Sequence, residues 1–371
     1  MPSHITSEQL RDALCLRDLT DPAAGEHSMQ RLVAAATTAL AERWRTPVVV
    51  YRGERIVPVA DNYDLLGYPA DGPARDERYT RYVSDAVLLR SQMSAAISGA
   101  LRTLAPVQPD DVLVACPGIV YRRDVIDRLH VASPHQLDLW RVTRGQSPRD
   151  LEDMIDQVVH ALLPGATARV SPAEHPYTLD GREVEVRSRD EWVELLECGL
   201  AHPHVLTAAG LPGHHGLAMG IGLDRALMLR KGIDDIRLLR SDDRRIESQM
   251  HDLEPYHPVS AQPAARRDTS VCCRPGLTPE ELGDHVRSAL NEHEQDWIEE
   301  ITLISRTPVA NLPDAARLRM GSHDSQENLL LRITLRHPTK SLPKPEANHL
   351  RDRIYLALHQ GSHHELTTRA A

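Results

Sequence analysis

The segment at residues 117–140 constrains the fold of this chain more than any other part of its sequence. A short β-branched run at 118–121 and the alternating polar and apolar residues at 135–142 predict two strands joined by a long polar loop. Arg122 and Arg123 directly follow the first strand. Because a desolvated cation needs an opposite charge beside it, these arginines indicate an anionic ligand such as a nucleotide.

The same segment resembles motif 2 of class II aminoacyl-tRNA synthetases. Its residues occur in the order YRRD, D, H and HQ followed by an acid, which is similar to the order in phenylalanyl-tRNA synthetase. A second segment, GLAMGIGLDRALMLRKGIDDIRLLRSDD at 216–243, resembles motif 3 of that family. Its Gly-Leu-Asp-Arg step at 222–225 stands where the family has Gly-Leu-Glu-Arg. The resemblance extends over nearly the whole chain.

A change in composition predicts the domain organisation. Residues 251–263, HDLEPYHPVSAQP, carry three prolines without periodicity, which is typical of a linker. Beyond them the pattern predicts a ferredoxin-like βαββαβ order that ends in a strand at 363–368. This part resembles the ferredoxin-fold anticodon-binding domain of single-chain, organelle-type phenylalanyl-tRNA synthetases. We therefore expect an α+β protein, with a class II catalytic domain on an antiparallel sheet at 1–250 and the small domain at 264–371.

The resemblance implies a set of ATP-binding residues. By the motif match Arg122 holds the α-phosphate and Arg225 stacks over adenine, and both are catalytic. Asp124 would meet the adenine amino group and His130 would touch the phosphates. Pro134 stands where the family has a Phe that stacks on adenine. The family implies ATP and Mg²⁺ as cofactors, and the sequence leaves the metal ligands unknown.

A second set of residues is implied for the amino acid. Gln136 and Asp138 would receive its α-ammonium group together with Ser94, and Gln92 stands where the family has a His. On the residues alone, Ser94 fits equally well as the cap of a buried helix.

The pocket for the side chain of the amino acid departs most from the family. By the match Ala218 lines its far end, and His175 and Tyr177 replace two Phe residues that pack on the substrate ring. An imidazole and a phenol left unpaired by a plain phenyl ring would cost about 1–3 kcal/mol each. Alternatively, Tyr177 is a conservative replacement that retains the stacking face.

Phenylalanine is absent from all 371 residues, although average usage gives on the order of a dozen in such a chain. Phe is a good core residue, so core chemistry does not require its loss. We interpret the absence as a pressure on the coding. It suggests a stand-in or resistance form of the synthetase, made when phenylalanyl-tRNA is scarce, blocked or charged with an analogue.

Charge and cysteine usage limit the location and the partners. The net charge of −10 argues against a general nucleic-acid coat, because such proteins neutralise phosphates. Five cysteines without a C-x-x-C spacing suggest reduced thiols. With no targeting or membrane-spanning pattern, we expect a cytoplasmic protein without a membrane partner, as a monomer or homodimer.

Three functions remain open at this point. The first is a ligase that charges tRNA, by the resemblance the tRNA for phenylalanine, with phenylalanine or a related aromatic amino acid. The second is an amino-acid-adenylating paralogue with a non-tRNA acceptor, and the third is a non-catalytic tRNA-binding regulator. The retained arginines favour catalysis, and the small C-terminal domain favours tRNA.

Overall fold

The computed structural model describes residues 4–123, 127–145, 150–189, 191–259 and 262–364. They form two units. The first unit comprises residues 1–122, 133–233 and 248–256, and the second comprises 123–132, 234–247 and 257–371. The polar loop predicted between the strands at 118–121 and 135–142 therefore belongs to the second unit. The predicted division, with domains at 1–250 and 264–371, stays a prediction.

The first unit contains six helices and nine strands among the described residues. Its helices are α1 (Ser7–Cys15), α2 (Ser28–Trp44), α3 (Ser94–Leu104), α4 (Asp150–Leu162), α5 (Pro203–Ala208) and α6 (Leu223–Lys231). Its strands are β1 (Val48–Val50), β2 (Ile56–Pro58), β3 (Val87–Leu89), β4 (Asp111–Ile119), β5 (His135–Thr143), β6 (Ala168–Pro172), β7 (Thr178–Ser188), β8 (Glu191–Ala201) and β9 (His215–Gly222).

Seven of these strands form one sheet in the order β1-β4-β5-β9-β8-β7-β6. All neighbours run antiparallel except β1 and β4, which are parallel. The expected antiparallel sheet is therefore present except at this edge, where the parallel pair of β1 and β4 makes the sheet mixed. β4 and β5 are the two strands predicted around the arginine-containing loop, and β9 pairs with β5 through motif 3.

Helix α3 covers one face of this sheet. Its Ile97 and Leu101 are fully buried against Val114, Trp140 and further apolar residues of β4 and β5. Burial of such side chains contributes about 1.5–3 kcal/mol each. The packing fixes the helix over β5, so that the first residue of α3, Ser94, lies above the sheet.

A buried lysine explains why the segment 248–256 belongs to the first unit. Lys231, at the end of α6, is 1% exposed. Its ammonium group donates to Asp252 O at 3.0 Å, Asp252 Oδ1 at 2.9 Å and Glu254 O at 2.7 Å. A buried charge needs such partners, so the first unit requires the chain beyond residue 250.

The second unit has a three-stranded antiparallel sheet in the order β10-β12-β11. Its strands are β10 (Ala265–Cys273), β11 (Ile298–Pro308) and β12 (Glu327–Leu335). Its helices are α7 (Arg244–Glu247), α8 (Pro279–Ala289), α9 (Glu292–Gln295), α10 (Asp314–Met320) and α11 (Lys344–Leu358). α8 and α11 pack on one face of the sheet around a core that includes Val286, Leu331 and Ile354.

The main elements of this sheet follow in the order strand, helix, strand, strand, helix, as the sequence predicted. The sixth predicted element, a strand at 363–368, lies mostly outside the described residues, and residues 363 and 364 are not in a strand. The ferredoxin-like assignment therefore stays a prediction.

Single helical turns complete the description: Pro22–Ala24, Ala60–Asp64, Pro73–Arg75, Ile236–Arg240, Ser248–His251 and Val309–Asn311. Within the described part of the chain, every helix is too short or too polar to cross a membrane.

Candidate active site

The middle strand of the large sheet carries almost no side chains on the face that α3 covers. Ala218, Gly220 and Gly222 alternate along β9 and so point to this one face. Among the described residues, a Cβ at Gly220 would meet only Asp138 Oδ1, at 3.6 Å, and one at Gly222 would meet only Leu195 O, at 3.9 Å. β9 is therefore the floor of a trough in which a ligand can approach the backbone.

A buried acid borders this trough on the β5 side. Asp138 lies opposite Gly220 and is 2% exposed. Ser94 donates from Oγ to Asp138 Oδ2 at 2.6 Å. Burial raises the pKa of Asp138 to about 7, because desolvation disfavours the charged form. An ammonium group placed beside Asp138 would stabilise its carboxylate, so this end of the trough suits a cationic group.

The two predicted glutamines hold neighbouring parts of the chain. Gln136 Oε1 accepts from the Met93 backbone N–H at 3.0 Å, which ties the start of α3 to β5. Gln92 accepts from the Tyr68 hydroxyl at 3.2 Å and donates to Asn62 O at 3.0 Å. Gln92 therefore positions the ring of Tyr68, and the direct contact with an amino acid predicted for it stays a prediction.

Four rings meet at the end of the trough near Ala218. The Tyr177 ring lies 6.2 Å from Trp140 at an interplanar angle of 23°, and 6.2 Å from Tyr68. The His175 ring centroid is 5.7 Å from that of Tyr177. The Tyr177 phenol has Ser94 and Asp138 as polar neighbours. Burial, followed by the neighbours Tyr68 and Asp138, raises the pKa of Tyr177 well above its usual range, so the phenol is neutral.

The imidazole of His175 is paired with a carboxylate of β8. His175 Nε2 lies 3.1 Å from Glu197 Oε2, with side chains 10% and 41% exposed. This hydrogen bond raises the pKa of His175 and lowers the pKa of Glu197. His175 therefore has a partner within the chain, and the expectation that a phenyl ring would leave its imidazole unpaired was wrong. For the Tyr177 phenol the expectation stays a prediction.

Both predicted arginines belong to the first unit, and each has an acceptor there. Arg122 Nε donates to Ser91 O at 2.7 Å, and Arg225 Nη1 donates to Glu194 Oε2 at 2.9 Å. The positive charges of Arg122 and Arg225 also lower the pKa of Glu197, after the larger effect of its hydrogen bond to His175. Glu197 is therefore an electrostatic neighbour of both arginines, on strand β8 opposite Gly220.

Asp224, the acidic residue of motif 3, holds two other segments of the first unit. Asp224 Oδ2 accepts from the His135 backbone N–H and lies 3.4 Å from His135 Nδ1. His135 Nε2 in turn accepts from the Leu19 backbone N–H at 3.1 Å. Asp224 therefore links the start of α6, and with it Arg225, to the start of β5.

Three further residues were predicted to bind ATP: Asp124, His130 and Pro134. Asp124 is outside the described residues. His130 belongs to the second unit, where its Nδ1 lies 2.8 Å from Asp127 Oδ1. Pro134 accepts from the Val120 backbone N–H at 2.8 Å and is partly buried. The ligand contacts proposed for these residues stay predictions.

Sequence reasoning missed three residues of the trough: Glu197, Tyr68 and Trp140. Two signals were available in the sequence. Trp140 is two residues from Asp138 and so faces the same side of β5. Glu197 is likewise two residues from Gly199 on β8, which pairs with Ala218 of the trough floor. What the sequence did not supply is the register that places Glu197 beside β9.

The described residues contain no group of three or more His, Cys, Asp or Glu side chains that could hold a metal ion. Two carboxylates, Glu194 and Glu197, nevertheless lie beside the arginines. Magnesium is commonly held by one or two carboxylates together with substrate phosphates and water. The oxygen donors at this end of the trough fit that type of site.

The part of the chain that carries β1 to β9 is similar to known proteins. Residues 40–250 match the family model described as the class II core domain (F) of tRNA synthetases. The phenylalanine–tRNA ligase alpha subunit of Idiomarina loihiensis is 32% identical over 206 residues, which cover 54% of this chain and 62% of that protein. The alpha subunit from Prochlorococcus marinus is 34% identical over 190 residues, covering 51% and 56%.

A third relative, the phenylalanine–tRNA ligase alpha subunit of Clostridium beijerinckii, is 32% identical over 203 residues, covering 51% of this chain and 59% of the relative. The chain thus matches less than two thirds of the length of each of these relatives. The matched part contains β5, β9 and α6, the elements that carry the trough and Arg225.

Proposed function

The chain belongs to the class II tRNA synthetase core family, and from that premise we propose that it is an ATP-dependent aminoacyl-tRNA ligase. Its substrate would be phenylalanine or a related aromatic amino acid, and its acceptor tRNA, by analogy with the named relatives. One observation carries the proposal: a single trough on β9 has a buried acid beside it and two arginines around Glu197.

Adenylate formation would use both ends of the trough. The α-ammonium group would lie at Asp138 and Ser94. The carboxylate of the amino acid would attack the α-phosphorus of ATP, forming a carboxyl–phosphate bond as pyrophosphate leaves. Little proton transfer is needed, so catalysis rests on positioning and on charge neutralisation by Arg122 and Arg225. Mg²⁺ bound with the phosphates would supply further neutralisation, with Glu194 and Glu197 as the carboxylates available to it.

In the second step a ribose hydroxyl at the 3′ end of tRNA would attack the activated carbonyl, and AMP would leave. The strand and helix order of the second unit supports this acceptor over a non-tRNA one, because five of six elements of a ferredoxin-like anticodon-binding domain follow in the predicted order. Arg122 and Arg225 are each held by an acceptor of the chain beside an open trough, which supports an enzyme over a non-catalytic regulator.

The absence of phenylalanine supports a narrower role. A message without Phe codons is translated correctly when phenylalanyl-tRNA is scarce, so a stand-in or resistance form gains from this composition. Measuring synthesis of this protein and of a Phe-containing control in a translation system depleted of phenylalanyl-tRNA tests this role. Equal loss of both products would remove it.

The decisive experiment is ATP–pyrophosphate exchange with a panel of aromatic amino acids, followed by charging of total tRNA. Exchange that depends on phenylalanine or a close aromatic, and charging of a tRNA, are expected. Exchange without charging would point to another acceptor, and no exchange with any amino acid would reject catalysis.

A truncated protein separates the two steps. Residues 1–256 retain the partners of buried Lys231, whereas an end at residue 250 would remove them. We expect the 1–256 protein to exchange pyrophosphate and to charge tRNA poorly. Equal charging by the truncated and full-length proteins would show that the second unit does not serve tRNA.

A further inference from the structure

The side chain of Asn62 is buried, and both of its polar atoms bond the same residue. Asn62 is 0% exposed. Its Oδ1 accepts from the Ser91 backbone N–H at 3.1 Å, and its Nδ2 donates to Ser91 Oγ at 2.9 Å. Because a side-chain amide offers its acceptor and its donor at fixed positions, two bonds to one residue set both distance and orientation. Asn62 therefore holds the peptide at Ser91 in place.

The peptide that Asn62 holds is also the one that binds Arg122. Arg122 Nε donates to Ser91 O at 2.7 Å, and the backbone N–H of Tyr121 donates to Arg90 O at 2.9 Å. A guanidinium group carries N–H donors on Nε and on both terminal nitrogens in one rigid plane. A bond at Nε therefore sets the direction of that plane and leaves the terminal nitrogens for a phosphate.

The helical turn that carries Asn62 has anchors besides the Asn62 side chain. Arg102, on α3, donates from both terminal nitrogens to the carboxylate of Asp61, at 3.0 and 3.1 Å. Leu65 N–H donates to Ala60 O at 3.0 Å, a bond of the π-helical type, which occurs frequently at functional sites. The turn thus keeps its supports when the Asn62 side chain is changed.

The main chain of Asn62 has a different partner from its side chain. Gln92 Nε2 donates to Asn62 O at 3.0 Å, and Gln92 Oε1 accepts from the Tyr68 hydroxyl at 3.2 Å. A substitution at position 62 leaves that carbonyl in the chain. Removal of the Asn62 side chain should therefore affect Arg122 and spare Gln92, which the family resemblance assigns to the amino acid.

We propose that Asn62 is a positioning residue for ATP, which acts through the Ser91 peptide to hold Arg122 in the orientation that neutralises the α-phosphate. The inference rests on the proposed function and goes beyond it, since Asn62 acts through Arg122 and not on a substrate. A preorganised charge is effective because it needs no rearrangement during the reaction. Without the Asn62 side chain the charge of Arg122 stays, and its direction is less well fixed.

Asn62→Ala removes both bonds to Ser91. A misplacement of about 1 Å can lower a rate about 100-fold, so we expect kcat/KM for ATP to fall by about tenfold or more. The KM for the amino acid should change by less than about threefold, since the carbonyl at position 62 still accepts from Gln92. The melting temperature should fall by a few degrees, because the Ser91 N–H loses its acceptor.

Ser91→Ala removes one of the two bonds and keeps the other. The N–H at position 91 still donates to Asn62, and the carbonyl still accepts from Arg122. We therefore expect a smaller fall in kcat/KM for ATP, of about threefold. The KM for the amino acid should again stay near that of the wild type.

A double-mutant cycle shows whether Asn62 acts through Arg122. Arg122→Lys keeps a positive charge but lacks the forked group that can bond Ser91 O and a phosphate together. In the Arg122→Lys protein, Asn62→Ala should lower kcat/KM for ATP by less than about threefold, against about tenfold or more in the wild type. A residue that merely stabilises the fold would lower it equally in both.

Thr143→Val is the matched control for loss of a buried polar contact in the same unit. Thr143 is 4% exposed, and its Oγ1 accepts from the Gly145 backbone N–H at 3.1 Å. It lies at the end of β5 away from Gln136. We expect this variant to lower the melting temperature and to leave kcat/KM for ATP and the KM for the amino acid unchanged.

The experiment is pyrophosphate exchange by the full-length protein and these variants, with ATP and phenylalanine varied in turn, together with thermal melts. A fall in kcat/KM that is confined to ATP and nearly disappears in the Arg122→Lys protein supports the inference. An unchanged kcat/KM for ATP, a fall of equal size in the Arg122→Lys protein, or an equal rise in the KM for phenylalanine overturns it and leaves the proposed function in place.

Two further outcomes complete the test. Where Asn62→Ala fails to fold, Ser91→Ala gives the answer: a fall confined to ATP supports the inference, and unchanged kinetics for ATP overturn it. No exchange by the wild type with any aromatic amino acid would reject the proposed function, and the inference with it.

Discussion

The end of the trough proposed for the amino acid, at Asp138 and Ser94, is buried, whereas the end proposed for the phosphates of ATP, at Arg122 and Arg225, is partly exposed. At the amino-acid end Asp138 and Ser94 are buried beneath aromatic rings, and the pKa of the acid is raised. At the phosphate end Arg122 and Arg225 are only partly buried, and each already donates to an acceptor of the chain. One end is closed by packing, and the other is open and held by charge.

The difference determines how each end should respond to change. A buried ionisable group interacts strongly with its surroundings, so pH and single substitutions alter it greatly. Partly exposed ion pairs are screened by water and salt, so their removal costs little stability. Substitutions at the phosphate end should therefore affect catalysis without unfolding, whereas those at the amino-acid end should affect both.

The largest effect is expected from removing an arginine. Arg122→Ala and Arg225→Ala should each reduce pyrophosphate exchange by more than about 100-fold, because loss of one preorganised charge costs about 3 kcal/mol. The melting temperature should stay near that of the wild type. The measurement is kcat/KM for exchange together with a thermal melt.

Arg169→Ala provides the control for this effect. Arg169 lies on β6 of the same sheet, is 51% exposed and pairs with Glu185 at 2.6 Å. It is remote from β9 in the strand order, so its removal should leave exchange unchanged. If either Arg122→Ala or Arg225→Ala retains a rate near that of the wild type, the phosphate end is assigned to the wrong residues.

The next largest effect should distinguish the two ends of the trough by the substrate whose KM changes. Asp138→Asn should raise the KM for the amino acid by tens of fold, since a charged hydrogen bond contributes about 1.5–3 kcal/mol. The KM for ATP should change little. Steady-state exchange with each substrate varied in turn makes the measurement. A comparable rise in both KM values would mean that the trough does not have two distinct ends.

Asp138 should also make stability depend on pH. Its folded pKa of about 7 lies above its unfolded value, so the folded protein binds this proton more tightly. The stability that the proton confers is complete below about pH 4 and is lost as pH rises through about 7, by up to about 1.4 kcal/mol per pH unit. Between about pH 4 and about pH 7 the melting temperature of the wild type should fall as the pH rises, and that of Asp138→Asn should change less.

The local sequence pattern predicted the strands of this site. The contacts between residues on different strands depend on strand register, which the local pattern does not give. Alternation along β5 is sufficient to place Gln136 and Asp138 on one face of the strand. No local pattern could pair β8 with β9 so that Glu197 faces Gly220. The bond from Ser94 to Asp138 also depends on α3, which is distant in sequence from β5. The family resemblance supplied the residues but not these contacts.

The smallest effect is expected from substitution of Glu197, which lies between the two ends of the trough. Glu197 is bonded to His175 near the amino-acid end, and both arginines at the other end help to lower its pKa. Its side chain is 41% exposed, so solvent weakens these interactions, and the pair should contribute less than about 1 kcal/mol to stability. Because the pKa of His175 is raised and that of Glu197 is lowered, this contribution is present between the two pKa values; it is lost as pH rises through that of His175 and as pH falls through that of Glu197.

Glu197→Gln removes the carboxylate and keeps the shape of the side chain. The largest cause of the raised pKa of His175 is its bond to Glu197, so the titration midpoint of His175 followed by NMR should fall in this variant. The KM for the amino acid and the KM for ATP should each change by about threefold or less, since a screened partner is lost at both ends. A change confined to one substrate would place Glu197 at that end alone, and an unchanged His175 midpoint would show that the pair does not form in solution.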